Sequence, residues 1–203
     1  MPVIHDKQLT MENESDRKTT TEGCRPRLVL RPLEPDDVAL LYDLENDMEL
    51  WTAGYTNVPY SRDVLRRYIE QGTFDIYRDR QMRLLAVNED DEVVGVVDLF
   101  NYEPQHNRAE LGLVILRPFR HKGYGQELVR RMMDYGRRVI HLHQIYAAVA
   151  VDNEASLRMF RSMGFRSTVT LREWLFDGEK YTDVILLQLF LKKVTEKFGS
   201  SEK

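Results

Sequence analysis

The segment Arg120–Gly125 constrains the fold most, because it joins a strand-like run to a helix-like run. The residues before it, Leu111–Leu116, are almost all apolar, and apolar residues recur at the helical period from about Gln126. Gly123 and Gly125 let the backbone turn sharply, and the helix that follows offers unpaired N–H groups and the positive end of its dipole. With the charges of Arg120 and Lys122, the segment predicts a loop that binds phosphate. The alternative is that the two glycines only form a turn.

Composition and charge exclude several classes of protein. Of the 203 residues, 42% are hydrophobic and 31% are charged, which is typical of a globular protein with one buried core. The formal net charge of -4 argues against nucleic-acid binding, and no apolar run reaches the roughly 20 residues of a membrane span. Because the N-terminus has no apolar stretch typical of a secretory signal, we expect a cytoplasmic protein. Cys24 is the only cysteine, which excludes an internal disulfide and a thiolate metal cluster.

The residue pattern predicts one folded domain, residues 25–193, between a disordered polar leader, residues 1–24, and a polar tail, residues 194–203. Inside the domain, the patterns predict a strand, two helices, three strands, a helix, a strand, a helix and two strands. The predicted strands are Leu28–Leu33, Arg83–Asn88, Glu92–Asn101, Ala109–Leu116, Gln144–Val151, Phe165–Phe176 and Tyr181–Leu191. The three strands in series, joined by short turns, indicate an antiparallel meander.

Apolar faces and caps predict the helices. Asp36 is predicted to cap the first helix and Ser61 the second, and Gly164 is predicted to end the fourth in a left-handed conformation. The third runs to about Ile140, and four of its residues are expected to face the core: Leu128, Met132, Tyr135 and Val139. Trp51 and Trp174 either pack in the core or line a substrate pocket, and core packing is favoured for Trp174.

This order of elements, with Arg120-x-x-Gly123-x-Gly125 after the fourth strand and Asn153 after the fifth, resembles the GNAT superfamily of acyl-CoA-dependent N-acetyltransferases. The resemblance covers roughly residues 27 to 192. It is greatest to the branch of spermidine N-acetyltransferases and ribosomal-protein N-terminal acetyltransferases, which has similar strings at Arg31–Asp37, Leu142–Tyr146, Val151–Ser156 and Met163–Phe165. The resemblance implies an α/β (α+β) fold of the GNAT type. Its mixed, mainly antiparallel sheet has six to seven strands, is splayed between the fourth and fifth, and is flanked by about four helices.

The resemblance also implies acetyl-CoA as the acetyl donor. In this family the glycine loop holds the pyrophosphate of coenzyme A, and the pantetheine arm runs beside the fourth strand. In the slot between the splayed strands, a backbone N–H bonds the thioester carbonyl and stabilises the oxyanion. The implied coenzyme A residues are Leu113, Val114, Ile115, Arg120, His121, Lys122, Gly123, Tyr124, Gly125, Gln126 and Asn153. Asn153 is expected to contact the pantetheine chain, to cap a helix, or to do both.

Acetylation of an amine requires a neutral nucleophile, and an alkyl amine with a pKa of about 10.4 is almost fully protonated at pH 7. Glu110 stands at the start of the fourth strand, where related enzymes often place a carboxylate that removes this proton. Glu110 is therefore the candidate general base. The alternative is a strand-end glutamate that faces solvent or pairs with Arg108.

The sequence departs from the family pattern in two places. Many GNAT enzymes have, at the position of Phe160, a tyrosine that protonates the leaving thiolate. Because phenylalanine has no proton to donate, water or Ser156 is the remaining candidate acid. Spermidine enzymes tend to carry glutamates before the Pro-Tyr pair, where Asn57 and Val58 stand here. Both departures argue against spermidine as the acceptor.

The residues and the resemblance together predict an acetyl-CoA-dependent N-acetyltransferase that uses direct attack in a ternary complex. The acceptor would be a primary amine, either a polyamine, another small amine or a protein N-terminus. The alternative is a catalytically silent GNAT-fold protein that binds or senses acyl-CoA. No metal site is expected, because His141 and His143 lack the spacing of a helical ligand pair. The last two strands suit a homo-oligomer as well as a monomer core, and neither nucleic acid nor membrane is expected as a partner.

Overall fold

The computed structural model describes residues 25–51, 58–73 and 75–191. The expected leader with Cys24, the position of Asn57 and the predicted tail lie outside the described residues, as does the side chain of Trp51.

Seven strands form one sheet in the order β1-β2-β3-β4-β5-β7-β6. All neighbouring strands are antiparallel except β4 and β5, which are parallel. This confirms the mixed, mainly antiparallel sheet. The strands are β1 Val29–Arg31, β2 Met82–Val87, β3 Val93–Glu103, β4 Arg108–Ile115, β5 Gln144–Ala150, β6 Arg166–Phe176 and β7 Tyr181–Phe190.

The four predicted helices are present, together with two single-turn helices that were not predicted. In chain order they are α1 Val38–Glu45, α2 Met48–Trp51, α3 Arg62–Gln71, α4 Ile76–Asp79, α5 Tyr124–Tyr135 and α6 Glu154–Ser162. Ser61 caps α3 as predicted, because its Oγ accepts a hydrogen bond from the Val64 N–H at 3.2 Å. The predicted cap at Asp36 is wrong, because Asp36 lies inside a 3-10 turn, Pro35–Asp37, that leads into α1. Gly164 follows α6 with a φ of 93°, which confirms the left-handed end of that helix.

The sheet buries both faces. Leu85 and Val96 pack with α1 and α3 on one face, whereas Ala86 and Val97 pack with α5 on the other. Neighbouring strand residues point to opposite faces, so this alternation separates two clusters of apolar side chains. The α5 cluster reaches across the sheet to β7 through Leu187 and carries the larger share of the buried residues.

Two predictions about burial are wrong. Val139 is 41% exposed, whereas Ile140 is 3% exposed. The end of α5 continues into a π turn, Gly136–Ile140, whose wider winding rotates the next residues relative to an α-helix. Trp174 is 56% exposed. Trp174 lies on β6, the strand at the edge of the sheet. The register of β6 with β7 shifts between Leu171 and Leu175, so the alternation of side chains along β6 does not place Trp174 on a buried face.

Within the described part of the chain, no helix has the length and apolar character needed to cross a membrane. The same residues contain no group of three His, Cys, Asp or Glu side chains arranged to hold a metal ion.

Candidate active site

The sheet opens between β4 and β5. These strands pair over three residues at one end only, Arg108–Glu110 against Gln144–Tyr146. Beyond Glu110, β4 stays paired with β3 as far as Ile115, and β5 stays paired with β7. The side of β4 that faces β5 therefore presents backbone groups from residue 111 onward that do not pair with β5. This opening confirms the splay between the fourth and fifth strands.

The glycine loop lies at the far end of β4 and leads into α5. Gly123 is the residue before α5 and has a φ of 86°, a conformation that L-residues rarely adopt. Glycine has no side chain to cap the helix, whereas Ser61 and Asn153 cap α3 and α6 with side-chain oxygens. The first intrahelical bond of α5 runs from the Glu127 N–H to the Gly123 carbonyl at 3.2 Å. The N–H groups of residues 124–126 consequently have no acceptor within the helix, which is the arrangement that binds an anion.

Direct contacts hold this loop in place. The Arg120 Nε donates to the Ile115 carbonyl at 3.0 Å, which ties the loop to the end of β4. A Cβ at Gly125 would lie 2.8 Å from the Met159 sulfur, so glycine allows α5 to pack closely on α6. The predicted phosphate residues Arg120, His121 and Lys122 are exposed, and Arg120 and Lys122 add positive charge beside the open N–H groups.

The predicted residue Gln126 makes a structural contact. Its side-chain Nε2 donates to the Ser162 Oγ at 3.0 Å and joins α5 to α6. The aromatic ring of Tyr124 packs edge-on against Phe119, with the ring centroids 5.9 Å apart, and so braces the same loop. Both side chains stabilise the loop. The backbone N–H groups of the same two residues are among those in the first turn of α5 that have no acceptor within the helix.

The residues predicted around α6 are brought together at the start of that helix. Asn153 Oδ1 accepts from the Ser156 N–H at 3.1 Å, which confirms the capping role. Phe160 lies one turn after Ser156, is 4% exposed, and packs edge-on against Phe165 with ring centroids 5.0 Å apart. Phe160 is thus a core residue, and its spacing from Ser156 places the two residues on the same side of α6.

A cleft of about 640 Å³ lies over β2, β3 and β4 and is within the size range of small-molecule sites. The predicted residues Leu113 and Val114 line it, while the side chains of Leu113 and Ile115 pack against the main core. Four charged side chains line the cleft: Glu45, Arg83, Asp98 and Glu110. Three carboxylates and one guanidinium give a formal charge of -2, so the cleft favours a positively charged ligand.

Arg83 connects two of these carboxylates. Its Nε and Nη2 donate to the two oxygens of Asp98 at 2.7 and 3.1 Å, and its Nη1 donates to Glu45. Burial would lower the pKa of Arg83, but Asp98 and then Glu45 outweigh it and raise that pKa. We did not predict this network from the sequence. The usable signal was the cross-strand pair of Arg83 with Asp98 in the predicted meander.

Glu110 lies at the last β4–β5 pair, where the opening begins. It is 5% exposed, so the alternative in which it faces solvent is wrong. Asn101 Nδ2 donates to Glu110 Oε2 at 2.9 Å, while Arg108 donates to Glu103 at 3.1 Å. Tyr146 stands directly opposite Glu110 on β5, and burial, followed by the charge of Glu110, raises the pKa of Tyr146. Asn101 and Tyr146 were not among the predicted site residues.

Comparison with known proteins matches this architecture to one family. Residues 27–166 match the acetyltransferase (GNAT) domain. The spermidine N(1)-acetyltransferase of Vibrio cholerae serotype O1 is 26% identical over 82% of this chain and 95% of its own length. The corresponding enzyme of Escherichia coli K12 is 28% identical over 79% and 84%.

Solved structures agree with this match. The crystal structure of spermidine N-acetyltransferase from Vibrio cholerae in complex with CoA and spermine superposes with a TM-score of 0.75 at 26% identity. It covers 82% of this chain and 96% of that one. A dodecameric structure of the Vibrio cholerae enzyme in an intermediate state has a TM-score of 0.71 at 26% identity, over 85% and 98% of the two chains. The chain therefore belongs to the GNAT acetyltransferase family, the N-acetyltransferases that use acetyl-CoA as acetyl donor.

Proposed function

We propose that this enzyme transfers the acetyl group from acetyl-CoA directly to a primary amine in a ternary complex. The position of Glu110 carries the proposal. Its buried carboxylate lies where the β4–β5 opening begins and also lines the acidic cleft. A base in that place can remove the proton from an amine that enters through the cleft.

The donor would occupy the β4–β5 opening and the glycine loop. The open N–H groups of residues 124–126, with Arg120 and Lys122, suit the pyrophosphate of coenzyme A. The edge of β4 from residue 111 to Ile115 does not pair with β5, so it suits the amide groups of the pantetheine arm and offers N–H groups to the thioester carbonyl. Asn153 would contact the same arm through its Nδ2, because its Oδ1 accepts from the backbone.

The chain's own residues account for the proton removed from the amine. Glu110 would take a proton from the ammonium group, and the neutral nitrogen then attacks the thioester carbonyl. As the carbon–sulfur bond breaks, the nitrogen gives up its second proton, which balances the proton that the thiolate takes up to become the free thiol. A thiol with a pKa of about 8.5 leaves readily as thiolate, so this step requires no strong acid. Ser156 stays the candidate donor to that thiolate, since Phe160 is buried and has no acidic proton.

The charge of the cleft favours a cationic acceptor. A polyamine, another small amine and a protein N-terminus all fit this requirement, and the named relatives act on spermidine. The experiment incubates purified protein and acetyl-CoA with spermidine, glucosamine, lysine or a short peptide with a free N-terminus. We expect release of free thiol above background with at least one acceptor. Binding of acetyl-CoA without thiol release from any acceptor would favour the silent alternative and overturn the proposal.

The same proposal extends to a homo-oligomer. On the edge strand β6, Trp174 and Phe176 are 56% and 57% exposed. The free side of an edge strand can pair with a strand of another chain. The dodecameric Vibrio cholerae relative supports this extension.

A further inference from the structure

The β3–β4 ladder contains an irregularity beside Glu110. The register of the two strands shifts between Phe100 and Glu103, and Asn101 at this shift has a φ of 51°. Asparagine is one of the few residues other than glycine that adopts this left-handed conformation readily. Because β-bulges redirect side chains and are frequent next to active sites, the side-chain direction of Asn101 depends on this local backbone.

The redirected side chain contacts the candidate base. Asn101 Nδ2 lies 2.9 Å from Glu110 Oε2, and Glu110 is 5% exposed. An amide nitrogen can only donate, and an ionised carboxylate can only accept, so the bond has one polarity. Tyr146 approaches the pair from β5, so the β4 carboxylate lies between one side chain from β3 and one from β5.

We propose that Asn101 is a positioning residue for Glu110, an inference that rests on the proposed function. The hydrogen bond from Asn101 fixes the carboxylate plane relative to the cleft, so that Glu110 meets the acceptor nitrogen in one orientation. The proton moves from the amine to Glu110, and Asn101 neither gains nor loses one. Holding a catalytic group in its productive orientation raises kcat more than it changes substrate affinity.

Two substitutions at Asn101 distinguish the effect of the side-chain amide from the effect of the backbone conformation. Asn101→Gly removes the side chain and tolerates the positive φ, while Asn101→Asp keeps the size of the side chain but replaces the donor with an acceptor. With the fastest acceptor of the panel, both should lower kcat by about 10- to 100-fold, while KM for that acceptor changes less than about threefold. An unchanged kcat in both variants would overturn the inference.

A double-mutant cycle with Glu110→Gln shows whether Asn101 acts through the carboxylate. In the Glu110→Gln background, Asn101→Gly should change kcat by less than about twofold, because the group that it orients is already absent. Multiplicative losses would show an independent role and overturn the inference. If loss of thermal stability in Asn101→Gly and Asn101→Asp accounts for their lost activity, the role of Asn101 is structural, and the inference that it positions Glu110 is overturned.

The outcomes distinguish this inference from the proposed function. No turnover with any acceptor contradicts the proposed function itself. Full activity of Glu110→Gln contradicts the assignment of the base. If Glu110→Gln lowers kcat but both Asn101 variants retain it, the proposed function stands and only the role of Asn101 fails.

Discussion

The buried carboxylate of Glu127 illustrates how the surroundings of one residue determine its contribution to stability. Its side chain is 4% exposed in the first turn of α5 and accepts from Arg130 and Arg131 at 2.6 and 2.9 Å. Burial alone would raise the pKa of Glu127, but the two guanidinium groups outweigh it and lower that pKa. The resulting stabilisation is fully present above the unfolded-state pKa of about 4.3 and is lost as the pH falls through the lower folded-state pKa.

We expect Glu127→Gln to lower the free energy of unfolding by about 2 kcal/mol at pH 7, because it removes charge-assisted hydrogen bonds from a buried position. The difference from wild type should shrink as the pH falls below about 4, where the wild-type carboxylate takes up a proton. Urea denaturation at pH 7, 5 and 3 measures this difference.

Glu154→Gln is the matched control for that prediction. Glu154 also lies in the first turn of a helix and also pairs with an arginine four residues later, Arg158 at 2.7 Å, but its side chain is 75% exposed. Glu154→Gln should lower the free energy of unfolding by less than about 0.5 kcal/mol. Equal losses in the two variants would show that burial does not decide the effect.

Among the elements, the start of α5 is the part of the proposed donor site that single substitutions test best. Gly123→Asp places a negative charge beside the open N–H groups, so we expect coenzyme A to bind at least about 10-fold more weakly, a loss of about 1.4 kcal/mol. Gly123→Asn has the same size, tolerates the φ of 86° and adds no charge. A Cβ there would lie 3.5 Å from Pro26 Cδ, which is an ordinary contact.

Calorimetric titration with coenzyme A compares the two variants. The larger loss should occur in Gly123→Asp, since both variants add bulk and only one adds charge. If Gly123→Asp binds coenzyme A as tightly as wild type, the loop does not hold the pyrophosphate.

The elements themselves were largely predictable from the sequence. Strand ends agree within about three residues because the runs are apolar, β-branched and bounded by turn residues. The helices α2 and α4 were missed because a single turn is too short to show a period. The π turn was missed because its hydrogen bonds skip one more residue than those of an α-helix, and five residues carry no apolar pattern that reveals the change. Val139 was placed wrongly for this reason.

For the whole protein, a substitution on the edge strand β6 tests the proposed homo-oligomer. Wild-type protein should have a mass in solution that is a multiple of 24.0 kDa, and Trp174→Arg should shift it toward the single chain. Light scattering coupled to size-exclusion chromatography measures both. Tyr77→Arg is the control, because Tyr77 is 55% exposed on α4, away from β6. A wild-type protein of 24.0 kDa, or equal shifts in both variants, would contradict the assembly through β6.

The candidate site divides into parts that the sequence reveals to different degrees. The glycine loop is contiguous, so its residues could be identified together. The groups around Glu110 come from three strands, and their meeting depends on register. Asn101 reaches Glu110 only because the β3–β4 ladder shifts, and Tyr146 faces it only because β4 and β5 pair there. Residue types alone do not encode such a shift, so these contacts required the structure.

The short β4–β5 seam also determines which parts of the site are displaced most when its shape changes. Three residue pairs at one end join the two half-sheets, and Glu110 and Tyr146 form the last of these pairs. A change in the angle between the half-sheets would displace points far from this joint most and the joint itself least. Under the proposed function, such a change would alter the spacing near Ile115 and the glycine loop, where the donor would bind, while Glu110 would keep its position.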